Sequence, residues 1–461
     1  NQDSRIIAKF DSNIQTGNTV NNTNGTLGSQ QGSLTINTHN QGLVNEKGNI
    51  VAAKHIRIGS GALENNQGLI FADDIALNSH NQTINNQDTL SANQDKGIIA
   101  QHSLTLETAS LNNDRGHILS HSNTLNTTSL TNHHGEIRTQ SQLDLNTHAL
   151  TQNAGLITAH VVNLVADAIQ STQQSEISGS QVKVSTQMLD NKDSKLITRQ
   201  MATIDVQQGI QNQNGTLASL GEALTINTHQ SNLNNTNGMV SVQNGALKLD
   251  TATLDNQQGT VLAKTAEITA LQRVDNRNTL ANNTQGILVT DLTLNTKQLD
   301  NQAGRLTAFS HATLQATDIQ NQNGEILAVN DGQLNADNIN NQAGTIASTS
   351  ANLSVSTQTT LNNQQGTLST ADKLTLNTSG LENQHGNVTS SNQLMLNTAQ
   401  QQINNQGGTL FANHQVEINA GEINNRQGLI RADKLLSIQT NQHTVDNRHT
   451  QGQNQGIIGL G

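Results

Sequence analysis

The sequence predicts an all-β fold, a right-handed parallel β-helix of about 21 coils with three short strands in each coil. Three observations predict it: a glycine that recurs about every 21 to 22 residues, alternating apolar segments between these glycines, and the absence of proline from all 461 residues. Proline has no amide hydrogen to donate to a strand ladder, so its absence is typical of strands that are paired on both sides. Such a stack forms a rod on the order of 100 Å long, because neighbouring strands lie ~4.8 Å apart.

The first element of each predicted coil is a turn that ends at glycine. Four of these turns read Asn-Gln-x-Gly, and their glycines are 20, 20 and 22 residues apart. Asn and Gly both tolerate the left-handed backbone conformation, which suits a chain that turns three times in each coil. The predicted structural turn residues in this stretch are Asn301, Gly304, Asn321, Gly324, Asn341, Gly344, Asn363 and Gly366.

Alternating strands and a closing apolar segment complete each coil. Leu374-Thr375-Leu376-Asn377-Thr378 alternates with a period of two, which is the pattern of a strand with one buried face. A short segment such as Ile319-Gln320-Asn321 then closes the coil. No single coil can bury its apolar face, so we expect parallel stacking, with aligned Asn and Gln side chains forming amide ladders. Where the glycine is lost, Ser175 and Ser194 keep the phase of the repeat.

Composition excludes several classes of protein. Only 32% of the residues are hydrophobic and 1% aromatic, which is typical of disorder, but a disordered chain would not keep apolar residues in phase. The net charge of −11 comes without a basic run, so we expect no nucleic-acid partner. No apolar run approaches the ~20 residues that span a bilayer, so we expect no membrane insertion. We predict one continuous β-helix repeat region over residues 1–461, an interior fragment of a larger exoprotein.

The sequence predicts no enzyme and no cofactor. Its carboxylates are scattered, and adjacent ones such as Asp73 and Asp74 are better explained as part of a solvated turn. No catalytic or cofactor-binding residue is therefore assigned.

The histidines do not predict a metal site. There is no cysteine, and neighbours such as His133 and His134 point to opposite faces of a strand. The pair His117 and His121 is likewise better explained as solvent-facing polar residues. No metal-binding residue is therefore assigned.

Three intervals between glycines are long, and each contains a related insertion that begins with Asn-x-x-Thr. Insertions in stacked repeats form surface loops, where binding residues tend to lie. Either these loops are bulged turns with no partner, or the loops at 86–96 and 276–285 are where this chain contacts a receptor. The candidate binding residues are Asp88, Asp95, Arg277 and Asn278.

Two ten-residue stretches contain the complete repeat pattern, the turn together with the start of the strand that follows it. Leu299–Ala308 and Ile423–Ala432 both fit the pattern Leu/Ile-x-Asn-x-x-Gly-x-Leu/Ile-x-Ala, and Leu-x-Leu-x-Thr segments follow in many coils. These units resemble the haemagglutinin repeats of filamentous haemagglutinin and of the contact-dependent growth inhibition exoproteins, which Gram-negative bacteria export by two-partner secretion.

The resemblance implies a secreted virulence protein on the bacterial cell surface, outside the outer membrane. It implies the shaft of an adhesin that binds host cells or surfaces or, as an alternative, the stalk of a growth inhibition toxin carrier that binds neighbouring bacteria. The partners implied are a receptor on a host cell or bacterium, contacted by this segment or by another part of the protein, and an outer-membrane transporter during export. The Asn-Pro motifs of the family's secretion domain have no counterpart in this proline-free chain.

Overall fold

The computed structural model describes residues 1–452 and 454–460, and the chain divides into two compact units, Asn1–His229 and Gln230–Gly461. Each unit is a right-handed parallel β-solenoid, and the two together contain about 22 turns, so the predicted fold class is confirmed. Within the described residues there is no helix long and apolar enough to cross a membrane. The expectation of one continuous repeat region over 1–461 stays a prediction.

The strands of the first unit are short and follow one another three to a coil, except where they run together. Their bounds are Arg5–Ala8, Ser12–Gln15, Val20–Asn21, Thr26–Ser29, Leu34–Asn37, Leu43–Val44, Asn49–Ala52, His55–Gly59, Leu63–Glu64, Leu69–Asn78, Thr83–Asn85, Gly97–Asn112, His117–Ser120, Ser122–Thr131, Glu136–Thr139, Gln142–Asn146, Ala149–Asn153, Leu156–Thr172, Glu176–Asp190, Lys195–Val206, Ile210–Gln211, Thr216–Ser219 and Ala223–Asn227.

The strands of the second unit follow the same order. Their bounds are Asn232–Asn234, Met239–Val242, Ala246–Asp255, Thr260–Asp275, Gly286–Asp300, Arg305–Ala308, Ala312–Gln315, Asp318–Gln320, Glu325–Ala328, Gly332–Ala336, Asn338–Asn340, Thr345–Ser348, Leu353–Thr357, Leu361–Asn362, Thr367–Thr370, Lys373–Asn377, Leu381–Glu382, Asn387–Ser390, Gln393–Asn397, Ile403–Asn404, Thr409–Ala412, Gln415–Asn419, Ile423–Asn424, Leu429–Ala432, Leu435–Gln439, Val445–Asp446 and Gly456–Gly459.

Parallel pairing between coils builds the core of each unit. In the second unit Arg305–Ala308 pairs with Glu325–Ala328, which in turn pairs with Thr345–Ser348, residue for residue. Alternate side chains therefore form columns inside the solenoid, and Leu306 and Ile326 are neighbours in a column that is at most 1% exposed. The period of two in the sequence is the direct cause, because successive strand residues point to opposite faces.

Strands run together in several coils, both after a turn glycine and in the coils that lack it. Leu156–Thr172 and Glu176–Asp190 each pass around the corners of a coil as one strand. Leu156 pairs with Glu176, and Glu176 pairs with Lys195. The expected phase is thus confirmed, since Ser175 and Ser194 hold the corner in place of glycine and are both buried.

A ladder of buried asparagine side chains runs through each unit at the corner that precedes the turn glycine. Asn321 Nδ2 donates to Asn341 Oδ1 at 2.7 Å, and also lies 3.3 Å from the carbonyl oxygen of Gly324. In the second unit the ladder comprises Asn235, Asn256, Asn276, Asn301, Asn321, Asn341, Asn363, Asn383, Asn405, Asn425 and Asn447. In the first it comprises Asn1, Asn22, Asn45, Asn65, Asn86, Asn113 and Asn132, continued by Gln152 and Ser171, and then Asn191 with Asn212.

The turn glycine is required for space and not for a left-handed backbone, which differs from the expectation. The left-handed residue is the one before the glycine, for example Ala303 with φ 48° and Ala343 with φ 53°. A Cβ added to Gly324 would overlap the main-chain oxygen of Asn301 and lie 2.7 Å from Asn321 Oδ1. The glycine therefore lets each turn pack directly against the ladder of the preceding coil.

Candidate functional site

The two predicted loops leave their coils at the same corner. The loop at 86–96 connects the strand Thr83–Asn85 to Gly97–Asn112, and the loop at 276–285 connects Thr260–Asp275 to Gly286–Asp300. Both begin at a ladder asparagine, Asn86 or Asn276. A third insertion begins at Asn447, and one of its residues, Gln453, lies outside the described residues.

Both loops end at a glycine whose backbone other residues rarely adopt. Gly97 has φ +109° and Gly286 has φ +110°. At these positions the chain re-enters the stack, and an L side chain would be strained there whatever the space around it. The glycine after each insertion therefore serves a different purpose from the turn glycines of the plain coils.

A threonine takes the position of the turn glycine at the start of each loop. Thr89 and Thr279 are fully buried, and each hydroxyl donates to the carbonyl oxygen of the ladder asparagine three residues earlier at 3.0 Å. The same hydroxyls accept from the amides of His117 at 2.9 Å and Arg305 at 2.8 Å. Thr450 repeats the first of these contacts with Asn447.

In a plain coil, which has a turn glycine and no insertion, the amide equivalent to those of His117 and Arg305 donates to a main-chain carbonyl oxygen. The amide of Glu325, for example, donates to the carbonyl oxygen of Gly304 at 2.8 Å. At an insertion the main chain turns away from the stack, and the threonine hydroxyl replaces the missing carbonyl. A buried amide would otherwise be left without an acceptor, which costs about 1–3 kcal/mol.

The loop at 86–96 carries charged groups that are mostly engaged within the chain. Arg115 Nε donates to Asp88 at 2.6 Å, and this hydrogen bond raises the pKa of Arg115 above its ordinary value. Asp95 accepts from Ser91 Oγ at 2.7 Å. Asp88 and Asp95 are both exposed. The candidate carboxylates therefore face solvent, and Asp88 already has a cationic partner.

His117 lies beneath this loop and is fully buried. Its Nδ1 is 3.4 Å from the carbonyl oxygen of Lys96, its Nε2 has no hydrogen-bond partner, and Nε2 is 3.9 Å from Glu136 Oε2. Burial is the main cause that lowers the pKa of His117, against the attraction of the Glu136 carboxylate. The expectation that His117 faces solvent is wrong, because the loop at 86–96 covers it.

Acid is expected to weaken the first unit through His117. Its pKa in the folded state is depressed, so its contribution is fully present above the ordinary histidine pKa of about 6.5 and is lost as the pH falls. The loss reaches at most about 1.4 kcal/mol per pH unit for one proton. Urea midpoints followed by far-UV circular dichroism from pH 8 to pH 5 should fall less steeply for His117→Gln than for the wild type.

The control is His121→Gln, which removes an exposed histidine of the same coil. Its pH dependence should match that of the wild type. Equal slopes for wild type and His117→Gln would contradict the expectation, because they would mean that His117 takes up a proton without unfolding.

The candidate residues of the loop at 276–285 are in different situations. Arg277 donates from Nε and Nη2 to the carboxylate of Asp275, at 2.9 and 2.8 Å, and lies 3.4 Å from Asp300 Oδ2. Asp275 is fully buried, and Arg273 Nη2 lies 3.3 Å from its Oδ2 as a second cationic partner. Burial raises the pKa of Asp300. Asn278 is exposed and has φ +59°. Of the two candidates, Asn278 presents its side chain and Arg277 is held by the chain.

Side chains of the neighbouring coils hold this loop in place. Arg305 donates to the carbonyl oxygen of Asn282 at 3.1 Å and to Asn283 Oδ1 at 3.2 Å. Thr260 Oγ1 donates to the carbonyl oxygen of Thr284 at 2.8 Å. Sequence reasoning missed these contacts, since residues more than 20 positions apart meet only through the stacking register.

Among residues 1–452 and 454–460 there is no group of three or more His, Asp and Glu side chains that could hold a metal ion. His117 is buried while His121 is exposed, so the pair noted in the sequence does not share one environment. The absence of metal, cofactor and catalytic residues stays a prediction.

Comparison with known proteins gives one family. The haemagglutinin repeat model matches seven segments of the chain, 79–135, 118–222, 220–278, 270–317, 310–364, 349–407 and 389–457. No curated protein and no solved structure matches the chain.

Proposed function

Because the chain belongs to the haemagglutinin-repeat family of filamentous haemagglutinins, we propose that it is the rod-like shaft of a secreted filamentous surface exoprotein that acts in bacterial adhesion to host cells or surfaces. Haemagglutinin repeats are typical of secreted, surface-exposed proteins. The observation that carries the proposal is the repetition of one coil within each unit, with the same core columns and the same amide ladder. In such a stack the number of coils sets the length, as a shaft requires.

The loops at 86–96 and 276–285 are the proposed adhesive surface of this shaft. They are insertions into the stack, and Thr89 and Thr279 fix the start of each loop, so each loop is presented in a defined position. Preorganised loops lose less entropy on binding. We assign receptor contact to Asp88 and Asp95 in the first loop and to Asn278 in the second, with Arg277 as a supporting residue.

The alternative is the stalk of a contact-dependent growth inhibition protein, which binds neighbouring bacteria. In both cases the role is structural and adhesive and not catalytic, and it needs no cofactor. The proposed location is the outer face of a Gram-negative outer membrane. The proposed partners are a surface receptor and the outer-membrane transporter of two-partner secretion, which exports the chain.

The test is the binding of the purified, labelled chain to epithelial cells and to bacteria of related strains. One variant removes both loops and restores plain coils: Thr89→Gly with deletion of 90–96, and Thr279→Gly with deletion of 280–285. Since a plain coil needs glycine at these positions, the variant is designed to keep the stack. The matched control is Gln342→Ala, a change of an exposed residue in a plain coil.

Saturable binding to epithelial cells that is lost in the loop-free variant would support the adhesive shaft. Saturable binding to bacteria alone would favour the growth inhibition stalk. If the chain binds neither cell type, the adhesive role of these loops is wrong and the chain is a passive spacer.

A further inference from the structure

Each unit has one outward apolar patch that begins on the strands beside one of the loops. In the first unit Phe71 pairs with Ile99, and Ile99 pairs with Leu119, so the three side chains line up over successive coils. We call these residues, with Asp73, the first patch. In the second unit Leu262 pairs with Leu288. These two, with Phe309 and Lys264, form the second patch.

Each patch lies on the same outward face as one of the loops. Gly97, where the first loop ends, is two residues before Ile99, and Gly286 is two residues before Leu288. Residues two apart on a strand point to the same side. The apolar side chains of each patch therefore begin two residues after the point where the loop rejoins the stack.

The apolar side chains of the second patch are open to solvent. Leu262 is 40% exposed and Phe309 is 55% exposed, and Leu288 is half-buried between them. With Lys264 they line an open groove of about 580 Å³. In the first patch Phe71, Ile99 and Leu119 are half-buried and likewise point outward. Contiguous exposed apolar surface of this kind marks interaction sites in soluble proteins.

The two patches differ in the sign of one charge at an equivalent position. The expectation that Asp73 lies in a solvated turn is wrong, because it belongs to the strand Leu69–Asn78. Asp73 follows Phe71 by two residues there, as Lys264 follows Leu262 by two residues in the strand Thr260–Asp275. Neither forms an ion pair with another residue in the described part of the chain. Asp95 and Lys96 offset each other in the first loop, so the contrast rests on Asp73 against Lys264.

We propose that the first patch of one copy of this chain binds the second patch of another copy. The two surfaces match in apolar character and in their position beside a loop, and they are opposite in charge. A pair of like patches would oppose two carboxylates or two ammonium groups, so pairing of unlike patches is favoured. This inference goes beyond the proposed adhesive function and does not depend on it.

The association through one pair of patches is weak, because a stable interface buries roughly 800 Å² on each partner. A few half-exposed side chains provide less than that area. The association therefore depends on protein concentration, and charge complementarity decides which surfaces meet.

Sedimentation velocity over a series of concentrations tests the proposal with the chain alone. The wild type is expected to form dimers and larger oligomers at micromolar protein concentration. Asp73→Lys and Lys264→Asp should each weaken this association at least about tenfold, since each turns an attraction into a repulsion. Leu288→Asn should also weaken it. The control Lys248→Asp makes the same charge change as Lys264→Asp at an exposed strand position elsewhere in the second unit.

The decisive sample is an equimolar mixture of Asp73→Lys and Lys264→Asp. Each contact between the two different chains is then complementary, so association should return to within a fewfold of the wild type. The double variant Asp73→Lys/Lys264→Asp should also associate by itself. The proposal is overturned if the wild type stays monomeric up to about 100 µM, or if the single variants associate as well as the wild type and the mixture.

Discussion

Replacing Gly68 with alanine is expected to lower the free energy needed to open the surrounding coils by about 3 kcal/mol or more. This is near the upper end of the cost of overpacking a core. A Cβ at this position would overlap the main-chain oxygen of Asn45 and lie 2.6 Å from Asn65 Oδ1. Backbone in the neighbouring coil cannot move away without breaking the amide ladder and the strand register. Steric overlap and loss of ladder hydrogen bonds therefore act together.

Hydrogen–deuterium exchange of peptides from Asn49–Ala52 and Leu69–Asn78 measures this effect directly. Protection should fall roughly a hundredfold, because about 1.4 kcal/mol corresponds to a factor of ten. Gly42→Ala is the matched control, since a Cβ there meets its nearest atoms at 3.6 Å, an ordinary contact. If both variants lose the same protection, the glycine requirement has another cause than space.

Replacing Asn341 with alanine is expected to cost the second unit about 3 kcal/mol of local stability. The Asn341 amide accepts from Asn321 Nδ2 and donates to Asn363 Oδ1, both at 2.7 Å. It is also 3.2 Å from the carbonyl oxygen of Gly344. Alanine leaves several buried polar groups without a partner, and each unsatisfied group costs about 1–3 kcal/mol.

Exchange of the strands Glu325–Ala328, Thr345–Ser348 and Thr367–Thr370 should accelerate, while distant coils of the unit keep their protection. This locality follows because each coil of a solenoid contacts only its neighbours. Gln342→Ala, one residue away and exposed, should leave exchange unchanged. A variant Asn341→Ala with wild-type protection would indicate that the ladder is not a source of stability.

The strands and turns of each coil could be predicted from the sequence because they depend on patterns among residues that are close together in the chain. Alternation around Leu376 predicts a strand with one buried face, and Leu376 is indeed buried in a parallel pair with Leu396. The spacing of Ser175 and Ser194 predicts that the repeat keeps its register through two corners that lack the turn glycine. The pairing of Glu176 with Lys195 confirms this prediction.

The features that the sequence did not predict depend on contacts between coils. The turn glycine was expected to supply a left-handed backbone, but Ala343 has that conformation and Gly344 supplies room for the preceding ladder asparagine. The threonine hydroxyls and the Arg305 contacts join residues more than 20 positions apart. Their partners follow only once the register of the stack is known.

The threonine corner separates the length of an insertion from the integrity of the stack. Thr89 and Thr279 keep the hydrogen bonding of the corner intact, and Gly97 and Gly286 return the chain to its register. Between these points side chains of neighbouring coils such as Arg305 hold the native loop in place, but the strand pairing beside it, for example Leu69 with Gly97, does not involve the loop residues. Such a corner is a grafting point: a foreign segment placed between Thr89 and Gly97 would be displayed on the solenoid at a defined position, provided that it also covers the buried His117.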